Sequence, residues 1–231
     1  MRTADLSKTL DQTVLAPDVT PGEIARACDR ARAVHVASVR TAPRYTGMVA
    51  RRLGGSDVRT CAVIPRSSDP RRTIAVGERA VCDGADEIEM ALNLPALRSG
   101  DFGRAREELA RCVRAVRVRA ANDARGAVIV KAIVDAPLLD DAHIRMACKI
   151  VADAGADFAV TSRGAGAPIA IADVELMRES LPEAIGVAAT GGVDSVTQVH
   201  QMISAGAARV GTAYAVDVLE RVRATTNKPS E

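Results

Sequence analysis

Lys131 is the residue in this chain whose type and position most directly suggest chemistry. The sequence holds four lysines against 27 arginines. Lys8 precedes the first apolar run, Lys149 falls in a helical pattern and Lys228 lies in the tail. Lys131 alone interrupts a strand-like run, VIVKAIV over Val128–Val134. An amine taken out of water loses its proton more readily, which suits imine formation or general-base work; a carboxylate beside it does the opposite. Strand alternation places Ile129, Lys131, Ile133 and Asp135 on one face, and Glu87, Glu89, Ala91 and Asn93 on one face of another run. The residues this pattern offers for catalysis are Lys131 and Glu89. A structural reading stands beside it: Glu89 as a buried acid paired with Lys131 or Arg40, and Asp135 as a cap on the following turn.

These side chains need a scaffold that buries strands on both faces. Eight apolar runs, at Leu10–Leu15, Val34–Val39, Val58–Ile64, Glu87–Asn93, Val128–Val134, Phe158–Ser162, Ile185–Thr190 and Arg209–Ala213, alternate with amphipathic stretches such as Gly22–Ala33, Asp101–Asn122 and Asp140–Ala154. Strands separated by helices pair in parallel. Eight such units in 231 residues close a barrel more naturally than they build an open sheet. A recurring Gly-Ala-polar junction marks the passage from helix to strand: Gly84-Ala85-Asp86, Gly155-Ala156-Asp157 and Gly206-Ala207-Ala208. The expectation is one α/β domain over 1–231, a (β/α)8 TIM barrel, with a loose tail from about residue 225. His35 is placed at the start of the second strand.

Composition narrows the function classes. A net charge of +2 gives no electrostatic case for nucleic acid or a membrane surface. No apolar window approaches the ~18 residues of a membrane span, and the first ten residues lack the apolar core of a signal peptide, so a cytoplasmic location is expected. The five cysteines are dispersed singly and read as reduced core thiols. The three histidines show no metal-ligand spacing, and no glycine pattern fits a nucleotide loop. Neither a metal nor another cofactor is expected; the partner is a small-molecule substrate.

LDQTVLAPDVT, HVASV, GADEIEMALNLPALRSGDF, VIVKAIVDAPLL, GADFAVTSRG, IGVAATGGV and AGAARVGTAYAV occur in this order over roughly Leu6 to Val222. Together they resemble the deoxyribose-phosphate aldolases. The resemblance implies a (β/α)8 barrel, class I aldol chemistry through a lysine imine, and a homodimer, which the Ala-rich helix faces permit. It also exposes departures. Where the family keeps its imine-forming lysine, before a Thr-Ser pair, this chain has Val160. Its second lysine, before Gly-Gly, is Ala188. Its proton-relay aspartate is Glu89, and a second-strand cysteine is Arg40. Its first-strand aspartate is kept as Asp11 and the assisting lysine near it as Lys131, which implies a catalytic set of Lys131, Glu89 and Asp11 or, on the structural reading, a Lys131–Asp11 ion pair bracing the interior. Serines after the eighth strand are Ala213 and Tyr214. The threonine after the Thr-Ser pair is Arg163, which suits a carboxylate or phosphate bidentately or else is a solvated loop arginine. The candidate substrate-binding set is Arg163, Arg40, Asp135, Ser162, Thr190, Gly191, Gly192 and Tyr214, with the glycine amides suited to an anion.

Three functions remain open at this level. One is an aldolase-like lyase acting on a small oxo compound, phosphorylated or carboxylated, with Lys131 as amine or general base. Another is an acid–base cyclase, isomerase or dehydratase of a specialised biosynthetic pathway, working without an imine. The third is a non-catalytic ligand-binding descendant.

Overall fold

The computed structural model describes residues 3–124, 126–162 and 168–226. Eight parallel strands close into a barrel in sequence order: β1 Leu10–Val14, β2 Ser38–Thr41, β3 Arg59–Ile64, β4 Glu87–Ala91, β5 Ile129–Ile133, β6 Phe158–Val160, β7 Gly186–Thr190 and β8 Arg209–Thr212. Around them lie α1 Thr3–Ser7, α2 Pro21–Val34, α3 Thr46–Leu53, α4 Pro70–Cys82, α5 Leu94–Arg98, α6 Phe102–Asn122, α7 Asp141–Asp153, α8 Ile171–Ser180, α9 Val196–Ser204 and α10 Ala215–Thr226. The expected fold is the observed one. No helix among the described residues is long and apolar enough to cross a membrane.

Local sequence explains the helix ends. Thr20 and Glu23 form a reciprocal capping box ahead of Pro21, and Asp69, Asp101 and Asp140 each cap a following helix through a carboxylate oxygen. Gly84, Gly155 and Gly206 have φ of 110°, 75° and 101°, so each repeated junction turns the chain from a helix into the next strand at little steric cost. The corresponding turn after α2 falls on His35, with φ 58°. His35 therefore caps a helix rather than opening a strand, and β2 starts at Ser38 instead of Val34. The apolar run Val34–Val39 hid this boundary because Val34, at the end of α2, and Val36, in the turn after it, pack in the same core. Cys82 is exposed while the other four cysteines are buried, and all five are free thiols. α10 runs to Thr226, and the rest of the expected tail lies outside the described residues.

The strand register sorts side chains into two environments. Val39, Ile88, Val130, Ala159, Val187 and Val210 point outward into the layer between strands and helices. The other phase points into the barrel. Register pairs Asp11 with Ser38, Arg40 with Cys61, Val63 with Glu89, Glu89 with Lys131, Ile133 with Val160, and Thr190 with Gly211. That interior phase carries nearly all the charge buried in the barrel.

Candidate active site

The interior has two chemically distinct parts. Charged groups come from five strands: Asp11, Arg40, Glu87, Glu89, Lys131 and Arg209. Each is buried. Three carboxylates face three buried cations, and the half-exposed Arg59 reaches Glu87 from outside at 3.6 Å. Lys131 Nζ lies 2.6 Å from Glu87 Oε2, 3.4 Å from Asp11 Oδ2 and 3.6 Å from Glu89 Oε1. The Phe158 ring covers it from another side, 5.5 Å away at the centroid. Arg209 bridges Asp11 and Glu87, donating from Nη1 to Glu87 Oε1 at 3.3 Å and from Nε to Asp11 Oδ1 at 3.1 Å. The Ser38 hydroxyl donates to the same Asp11 oxygen at 2.6 Å. Glu89 is held by Arg40 through two parallel bonds, Nε to Oε1 at 2.9 Å and Nη2 to Oε2 at 2.6 Å.

The second part is apolar. Val63, Ile133, Val160 and Ala188 form their own small cluster, with Leu15, Ala91 and Phe158 packed against it. Both positions that the resemblance marks as lysine sites are in it. Val160 is fully buried and Ala188 nearly so.

Electrostatics fix the protonation states. Burial by itself works against a charged Lys131, but the negative charges of Asp11 and Glu87 outweigh it and raise its pKa above the ordinary lysine value. Burial likewise works against ionised Asp11, yet Lys131 and Arg209, with hydrogen bonds from Arg209 and Ser38, hold it below the usual carboxylate range. Glu89 is also lowered: burial opposes its charge, and Arg40 and Lys131 overcome that. Lys131 is thus an ammonium, and Asp11 and Glu89 are carboxylates. The Cys61 thiol, 3.5 Å from Glu89, is pushed well up by burial and that neighbouring charge.

The structure brings Lys131, Glu89, Asp11 and Arg40 together, with both expected pairs present, Lys131 with Asp11 and Glu89 with Arg40. It adds two groups that the sequence reading did not assign to the site. Glu87 makes the shortest contact to Lys131, and Arg209 ties Glu87 to Asp11. Period-two alternation already placed Glu87 on the Glu89 face, so the signal existed for that residue; Arg209, inside AARVGTA, carried none beyond its place at the start of an apolar run.

The remaining named residues collect at the C-terminal ends of the strands, where barrels of this kind place their ligands. A cavity of about 200 Å³ is lined there by Thr13, Gly191, Gly192, Gly211, Thr212 and Tyr214, among others. Asp194 is the one carboxylate in its described lining, and it is exposed. The residues of this lining lead into α9 and α10, whose amino termini favour negative charge. Around the cavity the loops are braced. Thr161 Oγ1 donates to the Thr190 carbonyl at 3.0 Å and accepts from its amide at 2.9 Å. Gln12 Nε2 donates to the Ala213 carbonyl at 2.7 Å, while Thr190 Oγ1 donates to the Ser162 carbonyl and Thr212 Oγ1 to that of Val193. Asp135 follows β5 with φ 56° and makes no side-chain cap to the next turn. Arg163 lies outside the described residues. No group of three or more His, Cys, Asp or Glu among the described residues is arranged to hold a metal ion.

No protein-family model matches the chain. Curated proteins do. The deoxyribose-phosphate aldolase of Clostridium tetani is 35% identical over 220 residues, covering 94% of this chain and 98% of its own length. That of Micrococcus luteus is 38% identical over 226 residues, covering 95% and 97%. Among solved structures, an aldolase designated QR15 superposes with a TM-score of 0.88 at 26% identity, over 97% of this chain and 99% of its own. A deoxyribose phosphate aldolase from Aeropyrum pernix, described as a unique tetramer, superposes with a TM-score of 0.86 at 24% identity over 97% and 93%, which supports the fold.

Proposed function

Because the chain belongs to the deoxyribose-phosphate aldolase family, we propose that it keeps the family's barrel and its anion-binding mouth but works without an imine, recognising a small oxo compound that carries a phosphate or carboxylate. The carrying observation is the position of Lys131. An imine needs a free amine within reach of a carbonyl carbon. Lys131 is buried, sits among three carboxylates and is held protonated, while Val160 and Ala188 offer no amine in its place. These contacts also disfavour Lys131 as a general base and favour a structural ammonium. The anion-binding part of the reading rests on the paired glycines Gly191 and Gly192 and on the mouth cavity at the starts of α9 and α10.

The acid–base reading remains as a second proposal, and one contact favours it. Arg40 Nη1 donates at 2.9 Å to Thr13 Oγ1, and Thr13 lines the mouth cavity. A bound anion that drew Arg40 away from Glu89 would free a carboxylate for proton transfer.

The test uses 2-deoxyribose 5-phosphate and dihydroxyacetone phosphate in deuterated buffer, followed by NMR. The proposal expects no cleavage of the sugar phosphate and no exchange of α-protons in the triose. Cleavage at enzymatic rates would overturn the imine-free reading. Exchange without cleavage would favour the acid–base reading. We further propose an assembly of two copies in solution, in line with the family; light scattering at the mass of one chain would refute it.

A further inference from the structure

Arg40 has no counterpart in the chemistry that the family's small second-strand residue permits, and its placement has consequences for what the mouth accepts. Its side chain is fully buried in the barrel interior. Nε and Nη2 are committed to Glu89, and Nη1 donates to Thr13 Oγ1. Those three bonds use three of the five N–H groups of a guanidinium. The Nη1 edge that remains faces Gly211. A Cβ built on Gly211 would lie 2.9 Å from Nη1 and 2.5 Å from Thr190 Cγ2, so the absence of a side chain there is what lets Arg40 rise so far. Thr13 and Gly211 both line the mouth cavity. Arg40 therefore lies directly beneath its floor. The space left above, about 200 Å³, is below the ~300 Å³ at which cavities begin to take drug-sized ligands.

We propose that Arg40 is the specificity-determining residue of the mouth site: its guanidinium, fixed by Glu89 and admitted by Gly211, forms a cationic floor that selects short oxyanionic ligands and closes the shaft to longer ones. This rests on the mouth-site reading above. Glu89 acts here as a positioning residue, because its two oxygens hold the planar fork so that Nη1 lies against Thr13 and Gly211 of the cavity wall. The ligand class is a phosphate or carboxylate on a short stem, with an anionic oxygen accepting from Nη1 and the glycine amides of the β7–α9 loop around it. A sugar phosphate extending down the barrel has no room while Arg40 is paired.

The test measures binding of inorganic phosphate and of 2-deoxyribose 5-phosphate through the ring resonances of the two tyrosines; Tyr214 lines the cavity and Tyr45 lies elsewhere. In the unmodified protein both probes shift Tyr214 and leave Tyr45 in place, and the sugar phosphate binds no tighter than phosphate. The variant Arg40→Met/Glu89→Gln removes one cation and one anion together, so no buried charge is left alone. It weakens phosphate by about tenfold or more, the loss of a hydrogen bond to a charged group, and makes the sugar phosphate the tighter ligand. Unchanged phosphate affinity and ranking in that variant would overturn the role of Arg40 while leaving the mouth site standing. If the double variant does not fold, Arg40→Lys serves: it keeps the charge but loses the fork. It weakens phosphate, and undiminished affinity there would equally overturn the proposal. No Tyr214 shift in the unmodified protein with either probe would remove the mouth-site reading itself, and this proposal with it.

Discussion

Val160 and Ala188 face each other across β6 and β7 as register partners, and both side chains lie in one apolar cluster with Val63 and Ile133. These are the two positions at which the family resemblance implies lysines. With Leu15, Ala91 and Phe158 packed against that cluster, this side of the interior is a continuous apolar surface. The charge that remains inside is gathered around Lys131 and Arg40.

Restoring the two lysines alone should therefore fail. In Val160→Lys/Ala188→Lys the new amines enter an apolar cluster. Burying an ammonium without a partner is costly. We expect a loss of stability and no cleavage of 2-deoxyribose 5-phosphate. Cleavage should emerge only when Arg40→Cys and Glu89→Asp are added, which opens the shaft and shortens the acid. Aldehyde release by the Lys/Lys double variant alone would show that Arg40 does not obstruct the site.

Lys131 should behave first as a structural charge. Lys131→Met leaves three buried carboxylates against two buried arginines, with only the half-exposed Arg59 reaching Glu87 besides. Breaking a buried ion pair from one side costs about 3–5 kcal/mol. Adding Glu87→Gln restores the balance at two against two and should recover most of that loss. Thermal or denaturant unfolding measures it. Equal stability of Lys131→Met and the unmodified protein would contradict the network's role.

The same groups set a pH profile. Asp11 and Glu89 have lowered folded pKa values, so their contribution is present above the unfolded carboxylate range, about 4, and is lost as pH falls toward the folded values. Lys131 has a raised folded pKa, so its contribution is present below the unfolded lysine value of about 10.4 and is lost as pH rises through the folded one. For these groups stability should be level between roughly pH 5 and 10 and decline on both sides. A decline already at pH 7 that Glu89→Gln abolishes would mean that Glu89 carries a proton in the folded state.

Gly211→Ala tests the seat of Arg40 from the other side. The added methyl meets Thr190 and Nη1, and overpacking of this kind costs about 1–3 kcal/mol. Because Arg40 is one of the two groups displaced, Gly211→Ala/Arg40→Met/Glu89→Gln should be less destabilised by the alanine than the unmodified protein is. Additive effects on melting would place Arg40 away from Gly211.

Much of the fold was legible because its signals are local and steric. Gly84, Gly155 and Gly206 announce a left-handed turn that other residues adopt at a cost, and strand alternation placed Lys131 and Glu89 on inward faces, while the family resemblance pointed to Asp11. The start of β2 was not legible, since His35 takes the same left-handed turn without being glycine, and apolar residues on either side of it blur helix into strand. Within the site, the Lys131–Asp11 and Glu89–Arg40 pairs were readable as alternatives to catalysis. Which carboxylate stands nearest Lys131 was not. Glu87 is not the register partner of Lys131, Glu89 is, and only the lean of the side chains brings Glu87 to 2.6 Å. Arg209 comes from β8, across the barrel from β4, and no local pattern links it to Glu87.

The account turns on Lys131 being an ammonium that no carbonyl reaches. Borohydride reduction in the presence of small aldehydes and ketones, with 2-deoxyribose 5-phosphate among them, followed by peptide mass mapping, reads this directly. The predicted result is an unmodified peptide spanning Lys131 under conditions in which an imine-forming aldolase is trapped. A reduced adduct on Lys131 would contradict the account and restore this residue as a relocated imine-forming amine.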